Sequence, residues 1–164
     1  MLREKKIKLR TLLPTDLEFL QKIENDRSLW EYGSDRKIFT KKELTNYIKN
    51  SSEKIQKAKQ FRFVVDYNNT PVGFVDLFEY KNNSAGVGII IDKEYQKRGF
   101  ALESLKLLID YSLEKLKLKI LHCKISKCNF RSIQLFTSCG FIFTKEMDNL
   151  YFYTLRLLGH FFSC

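Results

Sequence analysis

Two histidines, His122 and His160, and four cysteines, Cys123, Cys128, Cys139 and Cys164, are the chain's whole supply of soft metal ligands, and no two cysteines form a C-x-x-C pair. No zinc site or other bound metal is expected, and reduced cytoplasmic thiols are the default. No apolar run approaches the roughly 18 to 20 residues that cross a bilayer, so no membrane partner is expected. The first residues, Met1–Lys6, are charged where a signal peptide would be apolar. Internal repeats and low-complexity tracts are missing. So is any compact block of basic residues interleaved with aromatics, which leaves nucleic acid a poor candidate partner. Acidic residues are scarce, 19 against 29 Lys plus Arg, and the net charge of +10 predicts a surface that attracts anions.

What remains is globular: 164 residues with 44% hydrophobic and 14% aromatic content, enough for one substantial core. A single domain over 1–164 is predicted, with 158–164 an apolar tail that either packs on the domain or seeks a partner subunit. Lys6–Arg10 alternates as a first strand. Pro14-Thr15-Asp16 starts a helix, with Thr15 or Asp16 as cap and Leu17 and Leu20 on its inner face. Ser28–Phe39 has no clean period and reads as an ordered loop carrying Trp30, Tyr32, Gly33 and Phe39. Thr40 and Glu43 predict a capping box for a second helix that ends between Ser51 and Lys57. Phe61–Val65 and Pro71–Tyr80 read as strands around the turn Asp66–Thr70, a meander feeding a strand from Ser84. Ile120–Ser126 is a later strand. Phe130–Ser138 is a short helix ended by Gly140, and Phe141–Met147 with Tyr151–Leu157 makes a closing hairpin about Asp148-Asn149.

The chain is organised around Ser84–Leu116. The β-branched strand Ser84–Ile91 hands over to a helix whose apolar positions Ala101, Leu105, Leu108, Ile109 and Leu116 recur at three- and four-residue spacing. Between them lies Gln96-Lys97-Arg98-Gly99-Phe100-Ala101. A helix's first turn leaves N–H groups without partners and carries the positive end of the macrodipole, so it can hold a phosphate. Gly99 lets backbone approach that anion, and Lys97 and Arg98 add positive charge. The plainer alternative is a solvated basic turn before a core helix.

Gln96–Ala101 resembles the Q/R-x-x-G-x-G/A signature of the GNAT acetyltransferases. Asn129-Phe-Arg-Ser132-Ile-Gln-Leu135-Phe136-Thr-Ser-Cys-Gly140-Phe141 is similar to that family's N-x-x-A/S-x-x-L-Y-x-x-x-G-F segment. The opening Leu9-Arg10, with Asp16-Leu17 after it, resembles the RimJ/RimL and SpeG branches, which acetylate protein N-termini and polyamines. The resemblance implies an α+β fold: a mostly antiparallel twisted sheet of six to seven strands with a V-shaped opening, flanked by about four helices. It implies an N-acetyltransferase that moves the acetyl group of acetyl-CoA directly to a primary amine. The acceptor would be a protein N-terminus, a polyamine or another small amine, and the enzyme a monomer or homodimer. The multiply charged coenzyme fits the positive net charge as well as nucleic acid does.

Carried over by position, Ile89, Ile90 and Ile91 supply backbone contacts to the pantetheine arm, with an N–H near Ile89 for the thioester oxygen. Gln96, Lys97, Arg98, Gly99, Phe100 and Ala101 cradle the pyrophosphate. Asn129, Ser132 and Phe136 complete the coenzyme side, and Trp30, Glu31 and Tyr32 are candidates for the acceptor wall. Gly86 and Gly88 fit an opening or a bulge in the strand. Two departures from the family pattern stand out. Phe136 replaces a Tyr whose hydroxyl protonates the leaving thiolate, and Gly86 replaces the Glu that polyamine-acetylating relatives often carry. Glu79, Asp76, Glu31 and Tyr151 are the candidate replacements. A covalent route through Cys123 or Cys139 is the second mechanism. A coenzyme-binding module of the same fold, impaired in catalysis, is the alternative function.

Overall fold

The structure, a computed structural model, describes residues 7–32 and 37–158. Seven strands form one sheet: β1 (Ile7–Arg10), β2 (Phe61–Tyr67), β3 (Thr70–Lys81), β4 (Ser84–Ile91), β5 (Ile120–Ser126), β6 (Ile142–Met147) and β7 (Leu150–Arg156), in spatial order β1-β2-β3-β4-β5-β7-β6. Every neighbouring pair is antiparallel except β4 and β5. Five α-helices accompany it: α1 (Leu17–Glu24), α2 (Lys41–Asn50), α3 (Ile55–Ala58), α4 (Phe100–Glu114) and α5 (Phe130–Ser138). The expected mixed fold is observed, with four of the helices longer than a single turn.

Phe63, Val65, Val75, Leu77 and Val87 point to one face and pack with Phe100, Leu105 and Leu108 of α4. Val64 and Phe74 point to the other, under Leu20 and Ile23 of α1 and Leu44 and Ile48 of α2. Both faces are covered, so the central strands are apolar at successive positions instead of alternating. Helix α4 lies close to the sheet because Ser104 and Ser112 are small and fully buried. Their hydroxyls donate to the carbonyls of Phe100 (2.6 Å) and Leu108 (2.7 Å) four residues back.

The Leu9-Arg10 … Asp16-Leu17 phrase has a structural meaning. Arg10 places Nη1 and Nη2 2.8 and 2.9 Å from the two Asp16 carboxylate oxygens, and its Nε 2.7 Å from Asp66. That bidentate pair fixes the start of α1 to the edge of the sheet. Asp16 is therefore occupied: it accepts from Arg10 and from the Leu13 amide and makes no side-chain cap for α1, contrary to the expected capping role. Neither does Thr15, since a 3-10 turn over Pro14–Asp16 precedes the helix. Thr40 caps α2 by accepting from the Glu43 amide at 3.1 Å, but Glu43 turns to Lys37 and the Thr40 hydroxyl, so the predicted box is half formed. Helix α2 stops at Asn50, and Ile55–Ala58 is a separate turn ended by Lys59 in the left-handed region.

Candidate active site

Strand β4 runs into a buried Asp92, whose carboxylate accepts from Lys22 of α1 at 2.8 Å while its amide donates to Val72 at 2.8 Å. The chain then turns through a 3-10 segment, Lys93–Tyr95, and Gln96 reaches back, its Nε2 donating to the Ile91 carbonyl at 3.0 Å. Lys97 adopts φ +62° and Gly99 φ +84°. Two left-handed residues in so short a span turn successive N–H groups toward one point, the concavity that suits an anion. No side chain caps α4, which begins at Phe100, and the amides of a helix's first turn are the ones that can serve an anion.

Those amides face a cavity of about 480 Å³. Its other wall comes from the divergence of β4 and β5. The two strands pair in parallel only over Ser84–Gly86 with Ile120–His122, whereas β3 stays paired to β4 as far as Ile91. Beyond Gly86 the β4 backbone groups that point toward β5 have no ladder partner. Ile89, Ile90 and Ile91 line the opening there, as do Gln96, Lys97, Gly99, Phe100, Ala101, Asn129 and Ser132. Asn129 is the N-cap of α5, its Oδ1 accepting from the Ser132 amide at 3.2 Å.

The sequence reading missed Leu29, Tyr95, Arg131 and Leu135, which also line the cavity. Arg131 donates through Nη1 to Gln96 Oε1 at 3.4 Å and so ties α5 to the loop. The available signal was a cation beside the Asn129 cap, in the same first turn as Ser132. Leu29 and Tyr95 gave none, because only tertiary packing brings them to the opening.

Other expected residues fall elsewhere. Arg98 packs its guanidinium over the rings of Tyr67, Tyr95 and Phe100, at 6.0, 5.4 and 5.2 Å from their centroids, and its side chain is not among those lining the cavity. The Phe136 ring is buried in the main core, edge-on to Phe141, and does not line the cavity either. Glu79 sits in a bulge of β3 with φ +48°, exposed and 3.7 Å from Lys124. Of the opening or bulge expected at Gly86 and Gly88, the bulge thus lies on the facing strand, while the opening does begin at Gly86. Gly86 also serves the packing, since a Cβ there would meet the Phe78 ring at 2.3 Å. Tyr151 pairs with Ile125 on β7 beside Lys127 and Phe143, again away from the cavity. Burial pushes the Cys123 thiol up to about 12, which suppresses the thiolate a covalent route would need. Cys139 is the C-cap residue of α5.

On the α1 and α2 face, Asp76 receives a two-pronged bond from Arg62, Nε to Oδ1 at 2.6 Å and Nη2 to Oδ2 at 2.9 Å, and Arg62 also pairs with Glu24. Glu24, Glu43 and Asp76 rim a second hollow of about 390 Å³ there. A 3-10 helix, Arg27–Tyr32, packs against β4 and β5 on the way to it. It carries the backbone of Trp30, Glu31 and Tyr32, but their side chains lie outside the described residues, as do Gly33, Asp35 and the tail beyond Leu158. Among the described residues no helix is long and apolar enough to cross a membrane.

Residues 6–142 match the family model described as an acetyltransferase (GNAT) domain. The spermidine N(1)-acetyltransferase of Escherichia coli (strain K12) is 30% identical over 148 residues, covering 89% of this chain and 78% of that protein. The corresponding Vibrio cholerae enzyme is 31% identical over 137 residues, 82% of this chain and 78% of that protein. Among solved structures, spermidine N-acetyltransferase from Vibrio cholerae in complex with CoA and spermine superposes with a TM-score of 0.83 at 25% identity, over 93% of this chain and 96% of that one. A dodecameric structure of that enzyme in an intermediate state superposes with a TM-score of 0.77 at 25% identity, over 93% and 94%. With its uncapped helix mouth beside a split sheet, this chain belongs to the GNAT acetyltransferases and is an acetyl-CoA-dependent N-acetyltransferase.

Proposed function

We propose that the acceptor is a polyamine and that the acetyl group passes to it directly, with no covalent acyl-enzyme. The observation that carries the reading is the parting of β4 from β5 immediately in front of the α4 amides. A thioester laid along Ile89–Ile91 meets unpaired strand groups on one side, while its diphosphate meets the loop at Lys97–Ala101 and the guanidinium of Arg131. Asn129 and Ser132 close the side formed by α5. An N–H near Ile89 supports the oxyanion that develops as the carbonyl carbon is attacked. Since neither Phe136 nor Gly86 offers a proton-transfer group, holding amine and thioester together supplies much of the rate.

A polyamine is favoured by the two spermidine-acetylating relatives, and on the α1 and α2 face Glu24, Glu43 and Asp76 outnumber their partners Arg62 and Lys37 by one negative charge. The cytoplasm is the proposed site of action. Assembly beyond the monomer or homodimer expected from sequence is proposed by analogy with the dodecameric relative. Exposed Ile142, Phe143 and Met147 on edge strand β6 offer an apolar edge for it.

The test is thiol release from acetyl-CoA with spermidine, spermine, a simple monoamine and a short peptide bearing a free N-terminus. Spermidine is expected to give a kcat/KM at least tenfold above the peptide. Preference for the peptide, or coenzyme binding by calorimetry with no polyamine turnover, would overturn the acceptor assignment.

A further inference from the structure

Among the described residues, the polar side chain at the fork where β4 and β5 part is His122. It is the last β5 residue in register with β4, opposite Gly86, which has no side chain. Gly86 is in turn opposite Phe78 on β3, and the Phe78 and His122 rings meet edge to face across it at 6.4 Å. Strand residues in register share a face, so His122 points to the same side as Phe78, Phe74 and Ile90, the side covered by α1, α2 and the 3-10 helix Arg27–Tyr32. The ring is partly exposed, and among the described residues neither nitrogen has a hydrogen-bond partner. From Gly86 to the strand opening at Ile89 is three residues, about 10 Å. His122 does not itself line the cavity, and a chain of two or three waters, each link about 2.8 Å, would cover that distance.

We propose that His122 is the general base of the transfer, taking a proton from the acceptor ammonium through water at the apex of the fork. The reading rests on the N-acetyltransfer reaction and not on which amine is the acceptor. His122 takes one proton and leaves a neutral amine. The nitrogen lone pair then forms the C–N bond to the thioester carbonyl, and the C–S bond breaks. The second nitrogen proton goes to the departing thiolate, giving amide and thiol, and the imidazolium returns its proton to water.

The surroundings suit that role. Burial holds His122 below the ordinary 6.5 of an imidazole; Glu79 from β3 opposes this and Lys124 from β5 adds to it. Its β7 partner, Thr154, is uncharged. From the 3-10 helix, the Glu31 side chain is outside the described residues. An imidazole neutral at pH 7 can accept a proton where an imidazolium cannot.

His122→Gln keeps the volume and removes the basic nitrogen. In the full-length protein its kcat/KM is expected to fall about 100-fold at pH 7.5, the lower end of what acid–base catalysis supplies. The acid limb of the wild-type kcat/KM profile, expected below pH 6.5, is expected to vanish in the variant. Coenzyme affinity by calorimetry should stay within twofold. The assay uses spermidine and the N-terminal peptide in parallel. A wrong acceptor assignment then appears as a wild-type preference for the peptide, and a wrong base as a variant that keeps wild-type rates on whichever amine is used. In wild-type protein, the His122 ring titration followed by NMR and assigned against the variant should coincide with the kinetic acid limb. A mismatch of more than one pH unit, or an unchanged profile in His122→Gln, overturns the proposal.

Discussion

The half of the molecule proposed to hold the coenzyme, from β4 through α5, is built chiefly from main chain. The half proposed to meet the acceptor, from α1 to α2 and the strands beneath, is built from side chains. On the first side the working parts are amides set by Lys97 and Gly99, strand groups freed where β5 departs, and the Asn129 cap. On the second they are carboxylates and an arginine held by contacts across 38 and 14 residues, Arg62 with Glu24 and with Asp76. Backbone chemistry needs a local conformation, which a short motif can specify. Side-chain chemistry needs a surface assembled from distant segments.

The strongest break in that comparison is Gly99→Val. A β-branched residue strongly resists φ +84°, and the strain of about 1–3 kcal/mol falls on the amides themselves. Coenzyme affinity by calorimetry is expected to drop about 10- to 100-fold with little change in fold by circular dichroism; unchanged affinity would detach the loop from the coenzyme. Asp16→Ala strikes the other half. It strips Arg10 of its bidentate partner at the start of α1 while leaving Asp66, and about 2–3 kcal/mol of stability by urea unfolding should be lost. Loop geometry, read as coenzyme affinity, should survive.

Asp16 also gives a pH signature. Burial would raise its carboxyl, but hydrogen bonds from Arg10 and the Leu13 amide outweigh burial and hold it below the ordinary 3.8. Its folded-state value is the lower one, so the stabilisation is complete above that ordinary value and is lost as pH falls through the folded value. Wild-type stability should therefore decline more steeply than that of Asp16→Ala below about pH 4, and parallel acid curves would refute the link. Gly86→Ala sits on the boundary. Its Cβ would lie 2.3 Å from the Phe78 ring, which must swing aside, and about 1–2 kcal/mol of overpacking is expected in thermal melts. Smallest is Asn129→Ala, with about 1 kcal/mol lost from the α5 cap and a few-fold loss of coenzyme affinity. A larger stability loss would mean that Asn129 is more scaffold than ligand.

Much of the fold was legible. Hydrophobic period separated Ser84–Ile91 from the helix after it, and Asp148-Asn149 marked the turn between β6 and β7. The misreadings have one cause: a side chain with two uses was assigned the local one. Asp16 was read as a cap and is spent on Arg10, Glu43 as half of a box and is drawn to Lys37. Arg98 was read as a phosphate ligand and lies on three aromatic rings. In the candidate site, Gln96, Lys97, Gly99, Phe100, Ala101 and Asn129 could be placed on the cavity wall because their order along the chain is their order around it. Arg131, Leu29 and Tyr95 could not, nor could the position of Glu79 and Tyr151 away from the opening be read.

By itself, the amino-acid order determined the strand-to-helix handover, the left-handed glycine before α4 and the cap on α5, because each depends on torsions and hydrogen bonds within a few residues. Tertiary structure alone decided where the sheet opens and which side chains face the gap. Whether β5 pairs with β4 for three residues or eight depends on how α4 and α5 pack, and only that packing sets His122 at the fork.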